Sequence, residues 1–276
     1  MGQSDSKKAS ELKTRVITGA VYFLVSTVCV VASTWTTAIL MAVTAGICAS
    51  EFYHMLRSDA KLPNDIAGII AAACYPIAVM LFQWVGALLV SALLLLALLI
   101  WYVFYLRSRI VDVAISFFGA AYCGLLLCGI VLIRCEMPDL WGGVLVFLVL
   151  LSVWANDALA YFFGSKFGKH KLAPQISPNK TWEGLIAGIV ASVVVWCVIA
   201  FVPGVSLGLV RAALYGLLSG IVGVLGDLVI SRIKRNSGVK DSGHILPGHG
   251  GMLDRTDSTF LVSVLAALLL IPTGCI

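Results

Sequence analysis

Charge is scarce in this chain. Asp, Glu, Lys and Arg make up 12% of its 276 residues, where a soluble domain carries about 25%, and that shortage excludes an ordinary water-soluble fold. No basic, aromatic-studded soluble domain is present. The net charge of +5 therefore points to an anionic membrane surface and phosphate-bearing ligands, and not to nucleic acid. None of the eight cysteines forms a CxxC pair, and six of them (Cys29, Cys48, Cys74, Cys123, Cys128, Cys197) fall in apolar runs. This speaks against a zinc or disulfide framework and for small apolar fillers. No internal repeat is evident and the loops are short, so a single membrane domain accounts for residues 1–276.

What is abundant is apolar sequence, at 60% of residues and a mean hydropathy of +1.01. A spanning helix needs about 20 mostly apolar residues. Nine such stretches are expected, near residues 15–33, 34–56, 66–82, 84–106, 111–133, 140–163, 184–202, 206–233 and 258–274. The fold class is all-α: a polytopic membrane protein with two polar cytoplasmic segments. The weakest break is the first, marked only by the cluster Ser33 to Thr37.

Cations test the count, because Lys and Arg of short loops collect on the cytoplasmic side. With nine spans, 17 of the 19 fall on one face and only Arg134 and Arg211 on the other. The N-terminus, with Lys7, Lys8, Lys13 and Arg15, is then cytoplasmic and the C-terminus outside. A signal peptide is the alternative for the first run, but another apolar run follows it, so it is read as an anchor.

Charges within spans are few and costly. Glu51 and Asp112 lie near cytoplasmic helix ends and are read as ordinary interfacial charges. Asp157 sits deeper in the sixth span, beside Asn156. Asp227 lies about 30 Å along the eighth helix from Ser206 at 1.5 Å per residue, near the cytoplasmic end, so a site there opens to the cytoplasm. Asp227, Ser231 and Lys234 share one helix face at i, i+4 and i+7.

Most of the chemistry is packed into SRIKRNSGVKDSGHILPGHGGMLDRTD, residues 231–257, with three aspartates, five cations and two of the four histidines. Gly250 and Gly251 allow backbone N–H groups to close around an anion. Magnesium prefers oxygen ligands and bridges one or two carboxylates to substrate phosphates, so Asp227 and Asp254 are the leading ligands. Asp257 either joins them or caps the ninth helix. His244 and His249 suit hydrogen bonding to phosphate better than zinc. The second polar segment, residues 164–184, holds Lys166, Lys169 and Lys171, read as a solvated basic loop. There Ser177 before Pro178 reads as a helix start favouring phosphate, with Lys180 nearby and Glu183 following.

The run Ser231, Ile233, Lys234, Arg235, Lys240, Asp241, Gly243, Leu246, Pro247, His249, Gly250, Gly251, Met252, Asp254, Arg255, Asp257 resembles the C-terminal signature of the phosphatidate cytidylyltransferases, also called CDP-diacylglycerol synthases. NDALAYFFGSKFGKHKLAPQISPNKTWEG at 156–184 resembles a second motif block of that family. Together they cover about a fifth of the chain, far more than a lone GxGxxG. The resemblance implies magnesium-dependent attack by the phosphate of phosphatidic acid on the α-phosphorus of CTP, giving CDP-diacylglycerol and pyrophosphate for phospholipid synthesis at the inner plasma membrane. By position it implies Asp227 and Asp254 as metal ligands, with Asp241 and Asp257 as second candidates and room for a second cation. Lys234, Arg235, Lys240 and Arg255 would hold the triphosphate or the lipid phosphate, oriented by Ser231 and His249. Asn156, Asp157, Ser177, Lys180, Glu183, Gly250 and Gly251 complete the substrate contacts. CTP, phosphatidic acid and membrane lipid are the implied partners, and a homodimer stays open. A CTP-dependent lipid kinase and an ion-coupled transporter are the rivals; a CDP-alcohol phosphotransferase lacks support because no DGxxAR run occurs.

Overall fold

In the computed structural model, residues 2–57, 62–243, 245 and 250–276 are described, with side chains from Ile17 onward. His244 and His249, and the side chains of the N-terminal cations, lie outside the described residues. The elements are α1 (Gly2–Ala32), α2 (Thr34–Arg57), α3 (Asp65–Phe104), α4 (Ile110–Ala120), a π turn (Ala121–Leu125), α5 (Cys128–Glu136), α6 (Leu140–Phe167), β1 (Lys171–Ala173), β2 (Ser177–Thr181), α7 (Trp182–Ile199), α8 (Leu209–Asn236) and α9 (Leu253–Leu270). The chain is an all-α polytopic membrane protein. Among the described residues six helical units are long and apolar enough to cross a bilayer: α2, α3, the α4–α5 unit, α6, α7 and α8.

The helix breaks have local causes. Between α1 and α2, Ser33 and Thr36 cap each other reciprocally: Thr36 N–H donates to Ser33 Oγ and Ser33 N–H to Thr36 Oγ1, both at 3.1 Å, which satisfies amides left over where a helix starts. Within α3 the backbone leaves the helical region at Gln83 (φ 55°, ψ −144°). Tyr75 Oη lies 2.9 Å from Ser91 Oγ, although sixteen residues of straight helix would separate them by about 24 Å. The forty residues of α3 are thus a helical hairpin, reversing where the sequence breaks between residues 82 and 84.

Cross-links sort the helix ends. At one end, Glu51 near the close of α2 contacts the start of α9, Leu62 N–H donates to Asp112 in α4, and the β1–β2 hairpin joins α6 to α7. At the other, the buried guanidinium of Arg134 ties α5 to α1, donating to Val30 O at 3.2 Å and to Met137 O at 2.5 Å. There it meets the carbonyl-rich end of α1, where a cation is favoured. Ser206 N–H donates to Cys275 O at 2.8 Å at that same end. The core runs through the bundle, with Phe52, Tyr75, Leu98, Ile130, Leu145, Trp196 and Phe260 all buried, while Leu93, Val103, Phe104 and Val210 lie on the outside. An apolar outer surface on this scale requires a bilayer around it.

Two expected boundaries move. Ser177 and Pro178 belong to β2 and not to a helix start; α7 begins after Thr181, whose Oγ1 accepts from Gly184 N–H at 3.2 Å. Pro178 lacks only an N–H, which a two-stranded hairpin tolerates. Helix α9 starts at Leu253, one turn before the apolar run at 258, so Asp257 lies in its second turn and is not its cap.

Candidate active site

The site forms where α8 crosses the first turns of α9, under the hairpin and beside α6. Gly226 makes the crossing close: a Cβ there would stand 2.6 Å from Asp257 O. Only a residue without a side chain lets the two backbones approach so far. That contact brings Asp227, on α8, beside the α9 turn carrying Asp254 and Asp257.

Two ion pairs hold the site together. Lys180 Nζ of β2 lies 2.6 Å from Asp227 Oδ2, and Ser231 Oγ donates to Asp227 Oδ1 at 3.0 Å. Lys234 Nζ lies 2.6 Å from Asp254 Oδ1, with both side chains nearly buried at 11% and 8% exposure. Lys234 thus sits on the expected face of α8 but reaches across to α9. Asp254 Oδ2 accepts from Ser242 N–H at 2.9 Å and Gly251 N–H at 3.4 Å. Burial pushes this carboxyl up, but the Lys234 ammonium and the Ser242 N–H outweigh it and hold it below the ordinary carboxylate range. It precedes the apolar run of α9.

Two further carboxylate contacts define the α6 side. Ser258 bridges two aspartates: its Oγ donates to Asp157 Oδ1 at 3.4 Å and its N–H to Asp257 Oδ1 at 2.8 Å. Asp157, Asp227 and Asp257 lie near enough for their charges to act on one another. All are oxygen donors, which suits a hard divalent cation. Both oxygens of Asp227 are already engaged by Lys180 and Ser231, so a cation there would replace the ammonium. Among the described residues no three carboxylates, histidines or cysteines are gathered into a ligand cluster as they stand.

A cavity of about 450 Å³ opens between α1 and α6, walled by Tyr22, Phe23, Leu151 and Trp154. Asp157, Asp254 and Arg255 border it on the site's side. An apolar chamber with a few charged groups at one edge is the usual form of a ligand site, and here its wall includes Phe23, which is exposed on the outer surface.

The remaining expected residues fall in different places. Arg235 Nε donates to Ile176 O at 3.3 Å, tying the hairpin to α8. Glu183 pairs with His170 Nδ1 at 2.7 Å and fastens the hairpin to α7. Lys240 and Asp241 are exposed beyond the end of α8, and Ser177 is half-buried in β2. Asn156 is 1% exposed, and its Nδ2 donates to Gly220 O of α8 at 3.3 Å, so it packs helices together and does not face the cavity. Gly250 has φ +85°, a left-handed backbone suited to glycine. Gly251 turns its N–H to Asp254 in place of a ligand.

Sequence reasoning missed Glu51 and Asp112. Both are buried, at 4% and 0% exposure, and accept backbone N–H groups from other segments. The signal was present: a carboxylate in an apolar helix is costly unless something pays for it, and closeness to a helix end disguised that.

Paired lysines and aspartates beside an apolar chamber in a membrane bundle suit phosphate chemistry at a lipid interface, and the sequence comparisons say which family shares the pattern of this chain. The family model for the cytidylyltransferase family matches residues 13–271, and the chain belongs to that family. Phosphatidate cytidylyltransferase of Bacillus subtilis (strain 168) is 31% identical over 255 residues, covering 91% of this chain and 95% of the relative. Its counterpart in Staphylococcus haemolyticus (strain JCSC1435) is 44% identical over 165 residues, 60% of this chain and 62% of the relative. Phosphatidate cytidylyltransferase 4, chloroplastic, of Arabidopsis thaliana is 31% identical over 293 residues, 96% of this chain and 74% of the relative.

Proposed function

We propose that this chain transfers a cytidylyl group from CTP to phosphatidic acid, releasing pyrophosphate and leaving CDP-diacylglycerol in the membrane. The observation that carries the reading is the chamber between α1 and α6, apolar along its length and edged by Asp157, Asp254 and Arg255. It suits a lipid whose tails stay in the bilayer while its phosphate reaches the ion pairs.

In the reaction a phosphate oxygen of the lipid attacks the α-phosphorus of CTP. A new P–O bond forms as the bond from the α-phosphorus to its bridging oxygen breaks, and pyrophosphate departs with that electron pair. The attacking phosphate is already an anion near neutral pH, so no strong base is needed. Repulsion between two polyanions is the obstacle, and fixed positive groups aimed at them lower it. Lys180 from the hairpin, Lys234 and Arg235 from α8, and Arg255 from α9 supply those groups, while Ser231 orients Asp227. Lys240 and Asp241 extend the polar rim beyond α8, and Gly250 follows before α9. Magnesium, with Asp227 as its first holder and Asp254, Asp257 and Asp157 as neighbours, would add positive charge between the phosphates; a second cation fits the same acidic surround.

The chain crosses the membrane nine times in this reading, counting α1, both arms of the α3 hairpin, the α4–α5 unit and α9. The collection of basic loops at the active-site end supports a cytoplasmic site and N-terminus in the inner (plasma) membrane of the cell. Purified protein in detergent, given CTP, phosphatidic acid and magnesium, is expected to release pyrophosphate and form CDP-diacylglycerol in equal amounts. Release of CDP with a newly phosphorylated lipid would assign it as a kinase instead, and no turnover of CTP would favour a transporter.

A further inference from the structure

We infer that Glu51, more than 100 residues before either polar segment, is a positioning residue for the reaction: a carboxylate lent by α2 to cap α9 and fix the turn that carries Asp254, Arg255 and Asp257. This rests on the reading of the α8–α9 crossing as the active site.

Helix α9 has no side-chain cap of its own, although the first amides of a helix lack partners within it. Glu51 supplies them. Its Oε1 accepts from Met252 N–H at 3.0 Å, and its Oε2 from Leu253 N–H at 2.8 Å and from Ser242 Oγ at 3.1 Å. A negative charge is also favoured at that end of a helix. One turn earlier on α2, Cys48 Sγ lies 3.1 Å from Thr256 Oγ1, so the seam grips α9 on both sides of Asp254.

Ser242 makes the connection to the site direct. Its hydroxyl goes to Glu51 while its backbone N–H goes to Asp254 Oδ2, so one residue carries the placement of one carboxylate to the other. Gly243 and Gly251 must lie close against Glu51 for this to happen. A Cβ on Gly243 would stand 2.5 Å from Glu51 Oε1, and one on Gly251 would stand 2.6 Å from Oε2. Gly243 and Gly251 are thereby assigned to close approach to Glu51.

Glu51→Gln keeps the shape but must turn an NH₂ toward one of two N–H donors, so one bond is lost and a donor is left facing a donor. Asp112 is the comparison: it too is a buried carboxylate accepting amides, from Leu62 and Arg109, but it belongs to the start of α4, away from the crossing. The experiment measures kcat, both KM values and thermal unfolding for the full-length protein in detergent. Glu51→Gln is expected to lower kcat by about tenfold or more with KM values within about threefold. Glu51→Asp should regain part of the loss. Glu51→Gln added to Asp254→Asn should cost little beyond Asp254→Asn alone, because coupled groups are non-additive. Asp112→Asn should unfold at a lower temperature yet retain kcat. Wild-type kcat in both Glu51 variants, or a loss that multiplies in full with that of Asp254→Asn, would overturn the inference. So would a fall in kcat that tracks unfolding temperature equally in Glu51→Asp and Asp112→Asn. Full activity in Asp254→Asn would overturn the reading of the site and the inference together, whereas loss there with none in Glu51→Gln overturns the inference alone.

Discussion

Removing the ammonium of Lys234 should expose how much the site depends on charge placed out of water. Lys234→Met keeps the length and apolar body of the side chain and deletes only its charge. Asp254, 8% exposed, then loses its partner at 2.6 Å but keeps the Ser242 and Gly251 N–H donors. Breaking a buried pair by removing one member costs about 3–5 kcal/mol, and the two remaining donors put the expected loss near the lower end, about 3 kcal/mol. The loss should depend on pH. In the wild-type protein Asp254 is held low, so the pair stabilises above the unfolded carboxyl value of about 3.9 and weakens as pH falls. With Lys234 gone, burial is left to push the carboxyl up. The variant then loses stability as pH rises through the raised folded value, and its deficit against wild type should be wide near pH 8 and narrow toward about pH 5. Thermal unfolding in detergent at both values measures this. Adding Asp254→Asn should recover stability to within about 1 kcal/mol of wild type by removing the stranded charge, while CTP turnover stays lost. A Lys234→Met protein as stable as wild type at pH 8, or equally weakened at both pH values, would refute the argument.

Asp227→Asn is expected to reduce kcat by about 10²–10³, the usual cost of losing one electrostatic contributor to phosphoryl transfer, measured as pyrophosphate release; wild-type turnover would remove Asp227 from the mechanism. Ala155→Phe, which fills part of the α1–α6 chamber, should raise KM for phosphatidic acid about tenfold and leave KM for CTP unchanged. An equal rise in both would mean that the chamber is not the lipid's. Arg211→Ala, exposed at the far end of α8, should change activity by less than about twofold, and a large loss would contradict the placement of that end.

The helical plan was legible because apolar runs announce themselves, and even the reversal inside α3 was marked by the short polar gap at Gln83. Asp227, Ser231 and Lys234 were legible as one helix face because 3.6-residue periodicity is local. What periodicity cannot convey is which distant segment a side chain meets. Lys180 was recognised as a cation near phosphate, yet its ion pair with Asp227 depends on a β hairpin that the residues around Pro178 disguise as a helix start. Asn156 looked like a ligand contact because it precedes an intramembrane aspartate, but adjacent helical positions point about 100° apart, so one faces the chamber and the other the packed helices. Glu51 was passed over for a related reason: its partners lie about 200 residues away, and only the folded bundle brings them together.

The chamber between α1 and α6 has an outer wall that includes Phe23, 44% exposed on the surface that faces lipid. A reactant entering there arrives by sliding within the leaflet, and its product, which keeps the same two tails, departs the same way. Turnover will then follow the surface density of phosphatidic acid, so diluting it with inert lipid at constant total amount should slow the enzyme as surely as removing it.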